Sequence, residues 1–359
     1  MKIFADVRDF GAAGDGMADD TSAIQQALES GKNIIRIPAG NYRITQTLLV
    51  DSFTTIEADA DARIYSCGDT PKKEGDFLLS NRDTVNGNCN IEISGGIWDG
   101  NHQGRYNTKN PDLFAPDAWS GGMFNFFNIR NLVLNNMRVE NSVTFFFRFG
   151  KINNFTIQNI SFGGTPSGFN QDGFHFSGFV SNGLVENIHA SGEETTDDML
   201  ALNADDCITR LENRGLLRGP IENITFRNIH AENCYTLIRM LSITAPIRNI
   251  RFENLCAGCR LYAINMDAAR YCFTPLFEPE DFPDGVGDIS NIIIDGMTVW
   301  KSGRQPDPLI CNESHSENIS VKNFHRAMEK DLHPETPCCV TRNTFPGAAS
   351  FRDELFNNK

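Results

Sequence analysis

Eight times along the chain, an asparagine opens a short run of alternating apolar and polar residues that closes on asparagine or glycine. The runs are NIEISGGIWDG from Asn90, NLVLNNMRVEN from Asn131, NFTIQNISFGG from Asn154 and NGLVENIHASG from Asn182. They continue as NITFRNIHAEN from Asn223, NIRFENLCAGC from Asn249, NIIIDGMTVWK from Asn291 and NISVKNFHRAM from Asn318. Alternation with a period of two marks strands. The steps between opening asparagines are 41, 23, 28, 41, 26, 42 and 27 residues. Short strands returning every 23 to 28 residues suit a solenoid in which each repeat is one coil. No 3.6-residue apolar period runs through the repeats, which favours a parallel β-helix over a leucine-rich horseshoe. The longer steps read as one coil plus about 15 inserted residues. HQGRYNTKNPDLFAPDAWSGG, NADDCITRLENRGLLRG and FTPLFEPEDFPDGVGD have the Gly, Pro and charge content of loops raised from one side of the stack. The repeated asparagines are expected to be structural, because Asn tolerates left-handed backbone and its amides can form ladders.

A β-helix has open ends that need covers. DDTSAIQQALES supplies one: Asp20 or Thr21 can N-cap a short helix with Ala23, Ile24, Ala27 and Leu28 on one face. The chain is therefore expected to be one all-β domain over residues 1–359. Residues 1–50 form the cap and first strands, 51–325 the coils, and 326–359 an irregular tail along the outside or over the last coil. DFGAAGDGMADDTSAIQQAL followed by IRIPAGNYRI resembles the opening of the right-handed parallel β-helix proteins of the pectin-degrading group.

Each coil carries a second alternating run: FFFRFG, GFHFSG, MLALN, TLIRML and LYAINM. If Phe174, Phe176, Leu200, Leu202, Ile238 and Met240 point inward, then Arg148, His175, Ala201, Arg239 and Asn265 form an outward column. Asp172 stands three residues before His175, and Asp198 three before Ala201. They then occupy one position in successive coils, about 4.8 Å apart. Asp197 lies beside them. Crowding of this kind keeps at least one carboxyl protonated near neutral pH. One protonated acid and one carboxylate able to activate water are what glycoside hydrolysis needs.

NQDGFHFSG and TTDDMLALN resemble the paired N-T-D-G and D-D-C-I-A-I-N motifs of the polygalacturonases, glycoside hydrolase family twenty-eight. The resemblance implies an inverting hydrolase in which Asp197 is the general acid, held protonated by its neighbours, while Asp172 and Asp198 hold and deprotonate water. TLIRML resembles the family's R-I-K strand, which would give Arg239 to the substrate, with Asn170, His175 and Arg148 beside it. Two features depart from the pattern: no G-H-G motif falls between the acid pair and Arg239, and Leu241 replaces the lysine of R-I-K.

Composition narrows the partners. A net charge of −14 disfavours nucleic acid, and no apolar run approaches a membrane span. The start, MKIFADVRDF, has no signal-like apolar stretch, so a cytoplasmic protein acting on an imported oligosaccharide, in an exo mode, is expected, with a secreted protein lacking its leader as the other case. The 10 cysteines are scattered, and CAGC has no second pair to complete a zinc site, so buried free thiols are expected. Neither metal nor cofactor is called for. Two other readings remain. A calcium-dependent polysaccharide lyase would draw ligands from Asp172, Asp197, Asp198, Asp205 and Asp206, with Arg239 or Arg210 as base. A non-catalytic glycan-binding solenoid would bind sugar without turnover.

Overall fold

The computed structural model describes residues 4–67, 77–102, 122–167, 170–205, 217–268 and 286–341. The chain winds through three strand-bearing faces per coil, and every paired strand is parallel to its neighbour one coil away. This is a right-handed parallel β-helix, the hand that parallel crossovers adopt.

The Asn runs turn the corner between two faces. All eight opening asparagines have positive φ, between 54° and 66°, and Asn136, Asn159, Asn187, Asn228, Asn254 and Asn323 at the second corner have φ between 52° and 56°. Left-handed backbone costs most residues about 1–2 kcal/mol but is routine for Asn. The side chains then stack. Asn154 Nδ2 donates to Asn131 Oδ1 at 2.7 Å, and Asn131 Nδ2 to Asn90 Oδ1 at 2.7 Å. At the second corner Asn159, Asn187, Asn228 and Asn254 form a matching ladder. Where the run from Asn291 has Gly296 in place of the second asparagine, glycine takes the positive φ.

Inside the coil, like residues sit over like. Phe124, Phe147 and Phe174 stack with ring centroids 4.8 and 5.1 Å apart, and Phe149 lies 4.9 Å from Phe176. The apolar core runs without a break from Ala5 to Cys339. Cys89, Cys234, Cys256 and Cys259 are free thiols, and Cys234, Cys259 and Cys339 are buried in that core. Cys256 is only half-buried while Cys259 is fully buried.

The helix Thr21–Leu28 buries Ala23, Ile24, Ala27 and Leu28 against the first coil. It also closes an open sheet edge: Gln25 Oε1 accepts from Leu49 N–H at 2.9 Å, and its Nε2 donates to Leu49 O at 3.1 Å. The amide thus substitutes for a missing strand. Asp20 stands at the N-cap position but makes no side-chain cap bond, because its carboxylate accepts from Ala13 and Gly14 instead. The tail is more regular than its sequence suggests: Cys339–Thr341 adds a further rung over Ile310–Asn312. The inserted loops lie almost wholly outside the described residues, as does everything beyond Thr341. Among the described residues, no helix is long and apolar enough to cross a membrane.

The corner ladder yields a test at exposed Asn159. Asn159→Gly tolerates the left-handed φ and loses only the amide bonds, whereas Asn159→Ala loses both. Alanine should therefore be the more damaging by about 1 kcal/mol in equilibrium denaturation. An alanine variant as stable as the glycine one would show that backbone strain is not what this position answers to.

Candidate active site

The third face is built from the second set of alternating runs. Residue by residue, Ser80, Asn125, Arg148, His175, Ala201, Arg239, Asn265 and Cys311 lie in register on successive rungs. Ala201 and Arg239 are direct neighbours, so the 38-residue step holds a single coil and its inserted loop. Phe174, Phe176, Leu200, Leu202, Ile238 and Met240 all point inward and are fully buried. The alternate residues are not open to solvent either: His175 is 3% exposed, Ala201 0% and Arg239 8%. A parallel sheet covered on both sides explains this, and alternation alone does not reveal it.

Asp172 and Asp198 sit where these rungs begin. Gly173 N–H donates to Asp198 O at 2.9 Å, which stacks the two short turns directly. A Cβ at residue 173 would lie 2.7 Å from Met199 O, so the glycine of NQDG permits that approach. Gln171 ties the turns further, with its N–H on Thr196 Oγ1 at 3.2 Å and its side-chain amide on Ser142 O at 2.5 Å. Half-buried Asn170 precedes it in the same turn. One carboxylate oxygen from each of Asp172, Asp197 and Asp198 lies within 4.8 Å of the others, so residues 25 and 26 apart in sequence form one cluster.

The members differ in surroundings. Asp172 is buried and both its oxygens are occupied: Oδ2 faces His175 Nδ1 at 2.5 Å, and Oδ1 accepts from Asp198 N–H at 3.0 Å. Phe145 stacks on the far side of the imidazole, with centroids 4.1 Å apart. Asp198 is buried, and Arg239 Nη1 reaches its Oδ2 at 3.4 Å. Asp197 is only half-buried. Burial pushes the Asp198 carboxyl well above its ordinary value, and Asp197 and Asp172 push it the same way, against the opposing pull of Arg239. Asp198 is thus the member of the cluster whose carboxyl is pushed toward its protonated form. The desolvated member is the one that ionises at greatest cost.

His175 and Arg239, expected beside the substrate, also face carboxylates, Arg239 bridging Asp198 and Asp267. Asp205 does not join the cluster: it is fully buried and accepts from the N–H groups of Ile243, Thr244 and Ala245. The nearest carboxylate oxygens lie within 4.8 Å of one another, close to the about 5 Å separation of a retaining pair and below the about 6.5–9.5 Å of an inverting one. Arg148, half-buried one rung below His175, lies over the ring of Phe127 at 5.0 Å. Asp206 and Arg210 lie outside the described residues.

The three carboxylates offer oxygens within 4.8 Å of one another, a spacing that could hold a metal ion, with Arg239 as a competing cation beside Asp198.

Two neighbours were missed in the sequence. Tyr235 stands one residue before Thr236, which pairs with Asp198, so it occupies the Asp197 position on the next rung. Burial raises its phenol, followed by the charges of Asp197 and Asp198. The 38-residue step that links Ala201 to Arg239 also links Asp197 to Tyr235, so the column arithmetic contained this signal. Asp267 had none, because it pairs in register with Leu241 and reaches Arg239 only through side-chain geometry.

Comparison with known proteins places this geometry in context. The family profile described as rhamnogalacturonase A/epimerase, pectate lyase-like, matches residues 4–260. Phage-related protein YobO of Bacillus subtilis (strain 168) is 36% identical over 107 residues, covering 29% of this chain and 13% of that one. The chain thus spans only a small part of the curated relative it matches. Among solved structures, a 1,3-α-1,4-β-D-galactose-4-sulfate-3,6-anhydro-D-galactose-2-sulfate 4 galactohydrolase superposes with TM-score 0.62 at 14% identity, covering 99% of this chain and 93% of that one. A family 28 exopolygalacturonase of Yersinia enterocolitica superposes with TM-score 0.59 at 16% identity, covering 95% and 75%. At these identities the likeness concerns the fold alone.

The raised Asp198 carboxyl carries a stability signature. Its contribution is fully present below the ordinary carboxyl value and is lost as pH rises through the raised folded value. Asp198→Asn cannot ionise and should escape that loss. Above the raised value the variant should melt higher than the parent, by about 1–3 °C, and the gap should close toward pH about 3. Melting temperature against pH reads this directly, and a variant that is less stable at every pH would overturn the assignment.

Proposed function

The chain belongs to the pectate-lyase-like rhamnogalacturonase A/epimerase family, and from that premise we propose that it is an inverting glycoside hydrolase acting on a pectin-like or related oligosaccharide. The observation that carries this reading is the convergence of Asp172, Asp197 and Asp198 on adjacent rungs, with one buried carboxyl favouring its proton. Half-exposed Asp197 is the member able to reach a leaving glycosidic oxygen. The proton it delivers belongs to the coupled group, of which Asp198 is the member pushed toward its protonated form. Asp172 is fixed by His175 and by the Asp198 amide, and its remaining lone pairs hold the attacking water and take its proton while Asp197 protonates the leaving oxygen.

Inversion is preferred despite the short oxygen spacing. A retaining nucleophile must be ionised and free to form a bond to the sugar. Asp198 favours protonation, and the hydrogen bonds on both oxygens of Asp172 make it a weaker nucleophile, so water is the better one. The lyase reading loses ground because Arg239, one of its two candidate bases, is paired to two acids. The length of the inserted segments in the sequence supports an exo mode as part of this proposal, which would release short products from one chain end.

The test is a panel of plant and bacterial oligosaccharides with products followed by NMR. Asp172→Asn, Asp197→Asn and Asp198→Asn should each lower turnover by about 10²–10⁴-fold while leaving binding largely intact. The first-formed anomer should be inverted. Near-normal turnover in all three variants would sink the proposal. An ultraviolet-absorbing unsaturated product that disappears with chelator would replace it with the lyase reading.

A further inference from the structure

A recess of about 320 Å³ opens on the strand face formed by Asp15–Asp19, Gly40–Ile44, Ala62–Ser66 and Ile97–Asp99, four successive rungs near the N-terminal end. Its size is at the low end of small-ligand sites, which span about 300–1,000 Å³. Gly16, Asn41, Arg63, Tyr65, Asp99 and Asn101 line it. Asp99 is 1% exposed and its carboxylate is fully engaged. Oδ1 accepts from Asn101 N–H at 2.7 Å and Asn141 Nδ2 at 3.0 Å, while Oδ2 accepts from Arg63 Nε at 3.1 Å and from Arg63 Nη2. Arg63 is thereby fixed, yet its side chain is only half-buried. Two of its five N–H bonds are used on Asp99, and the other three have no protein partner among the described residues.

Tyr65 Oη donates to Gly16 O at 2.6 Å, two rungs away, so the ring lies along the face and its oxygen can still accept. Asn101 Nδ2 donates to Ser66 O at 2.8 Å, which leaves Oδ1 as an acceptor. The exposed Asn41 side chain has no protein partner among the described residues. We infer that this recess binds an uncharged sugar residue. Sugar hydroxyls donate and accept at once, and the C–H face of the ring is apolar, so the site they need mixes both kinds of group beside an aromatic ring. Arg63 and Asn41 supply donors, Asn41, Asn101 and Tyr65 supply acceptors, and the Tyr65 ring supplies the apolar surface. Charge decides against an anionic sugar. Arg63 is balanced by Asp99 and the neighbouring Arg43 by Asp19, so no uncompensated cation faces the recess among the described residues. The site is also separate from the acid cluster. Tyr65 is in register with Asp99, Asp99 with Glu140 and Glu140 with Gly163, and the next strand ends at Ala190 before the turn to Asp197. Four rungs at strand spacing amount to about 19 Å, so one sugar ring cannot occupy both places.

The experiment is an NMR titration of the whole protein with the methyl glycosides of galactose, rhamnose, glucose, mannose and arabinose, with methyl galacturonide as the charged control. The Arg63 Nε–H and Tyr65 ring signals report on the recess, assigned from their loss in Arg63→Lys and Tyr65→Phe. At least one uncharged glycoside should shift both signals saturably and bind more tightly than the galacturonide. Tyr65→Ala should weaken that binding by about tenfold and Asn41→Ala by about threefold, the scale of one ring contact or one net hydrogen bond. Asn41 is exposed, so its variant keeps the test decisive if Tyr65→Ala does not fold. Asp197→Asn should bind the glycoside as the parent does. No shift with any uncharged glycoside, tighter binding of the galacturonide, or full binding by the Asn41 and Tyr65 variants overturns the inference. On an oligosaccharide that is turned over, a KM raised by Asn41→Ala only for chains spanning four rungs identifies the far end of the substrate as the occupant. An unchanged KM with weakened glycoside binding identifies a separate glycan. Absence of turnover bears on hydrolysis and leaves the binding result standing.

Discussion

Parallel backbone pairing between successive coils, at the spacing of about 4.8 Å that strand hydrogen bonds impose, is the constraint on which the rest depends. It requires each coil to return to the same position, so corner residues recur and their side chains fall into files. The asparagine ladders, the phenylalanine stacks and the carboxylate cluster are three results of the same register. In the first two, stacking like on like is favourable. In the third it is costly, and the surroundings have to absorb the cost.

They do so unequally. His175 and the Asp198 amide take up both oxygens of Asp172, Arg239 approaches Asp198, and Asp197 keeps contact with solvent. Three chemically identical side chains thereby have three different surroundings: Asp172 held at both oxygens, Asp198 buried with its carboxyl pushed toward protonation, and Asp197 half-buried. No mobile element is needed to create that difference. It follows from depth beneath the surface and from which neighbouring rung supplies a donor.

The same register explains how the stack begins. A first coil has no rung beneath its third face, and an unpaired strand edge invites association. The helix Thr21–Leu28 fills that place, and Gln25 answers the backbone of Leu49 with its amide. At the other end, Cys339–Thr341 supplies one more rung from a segment whose sequence gives little sign of a strand. Tertiary pairing there outweighs local propensity, as short edge strands often show.

The solenoid, its coil length, its asparagine corners and its helical cap were all legible in the chain, because each is a local pattern repeated at a fixed interval. The file containing Arg148, His175, Ala201, Arg239 and Asn265 was legible for the same reason, and so was the meeting of Asp172 with Asp197 and Asp198. Periodicity states which residues share a position. It says nothing about how deeply that position is covered or where a long side chain ends. Hence the burial of His175 and Arg239, the upward push on the Asp198 carboxyl and the pairing of Arg239 with Asp267 emerged only from the folded molecule. Solvent exclusion and side-chain reach depend on neighbours from several coils at once, and no single repeat encodes them.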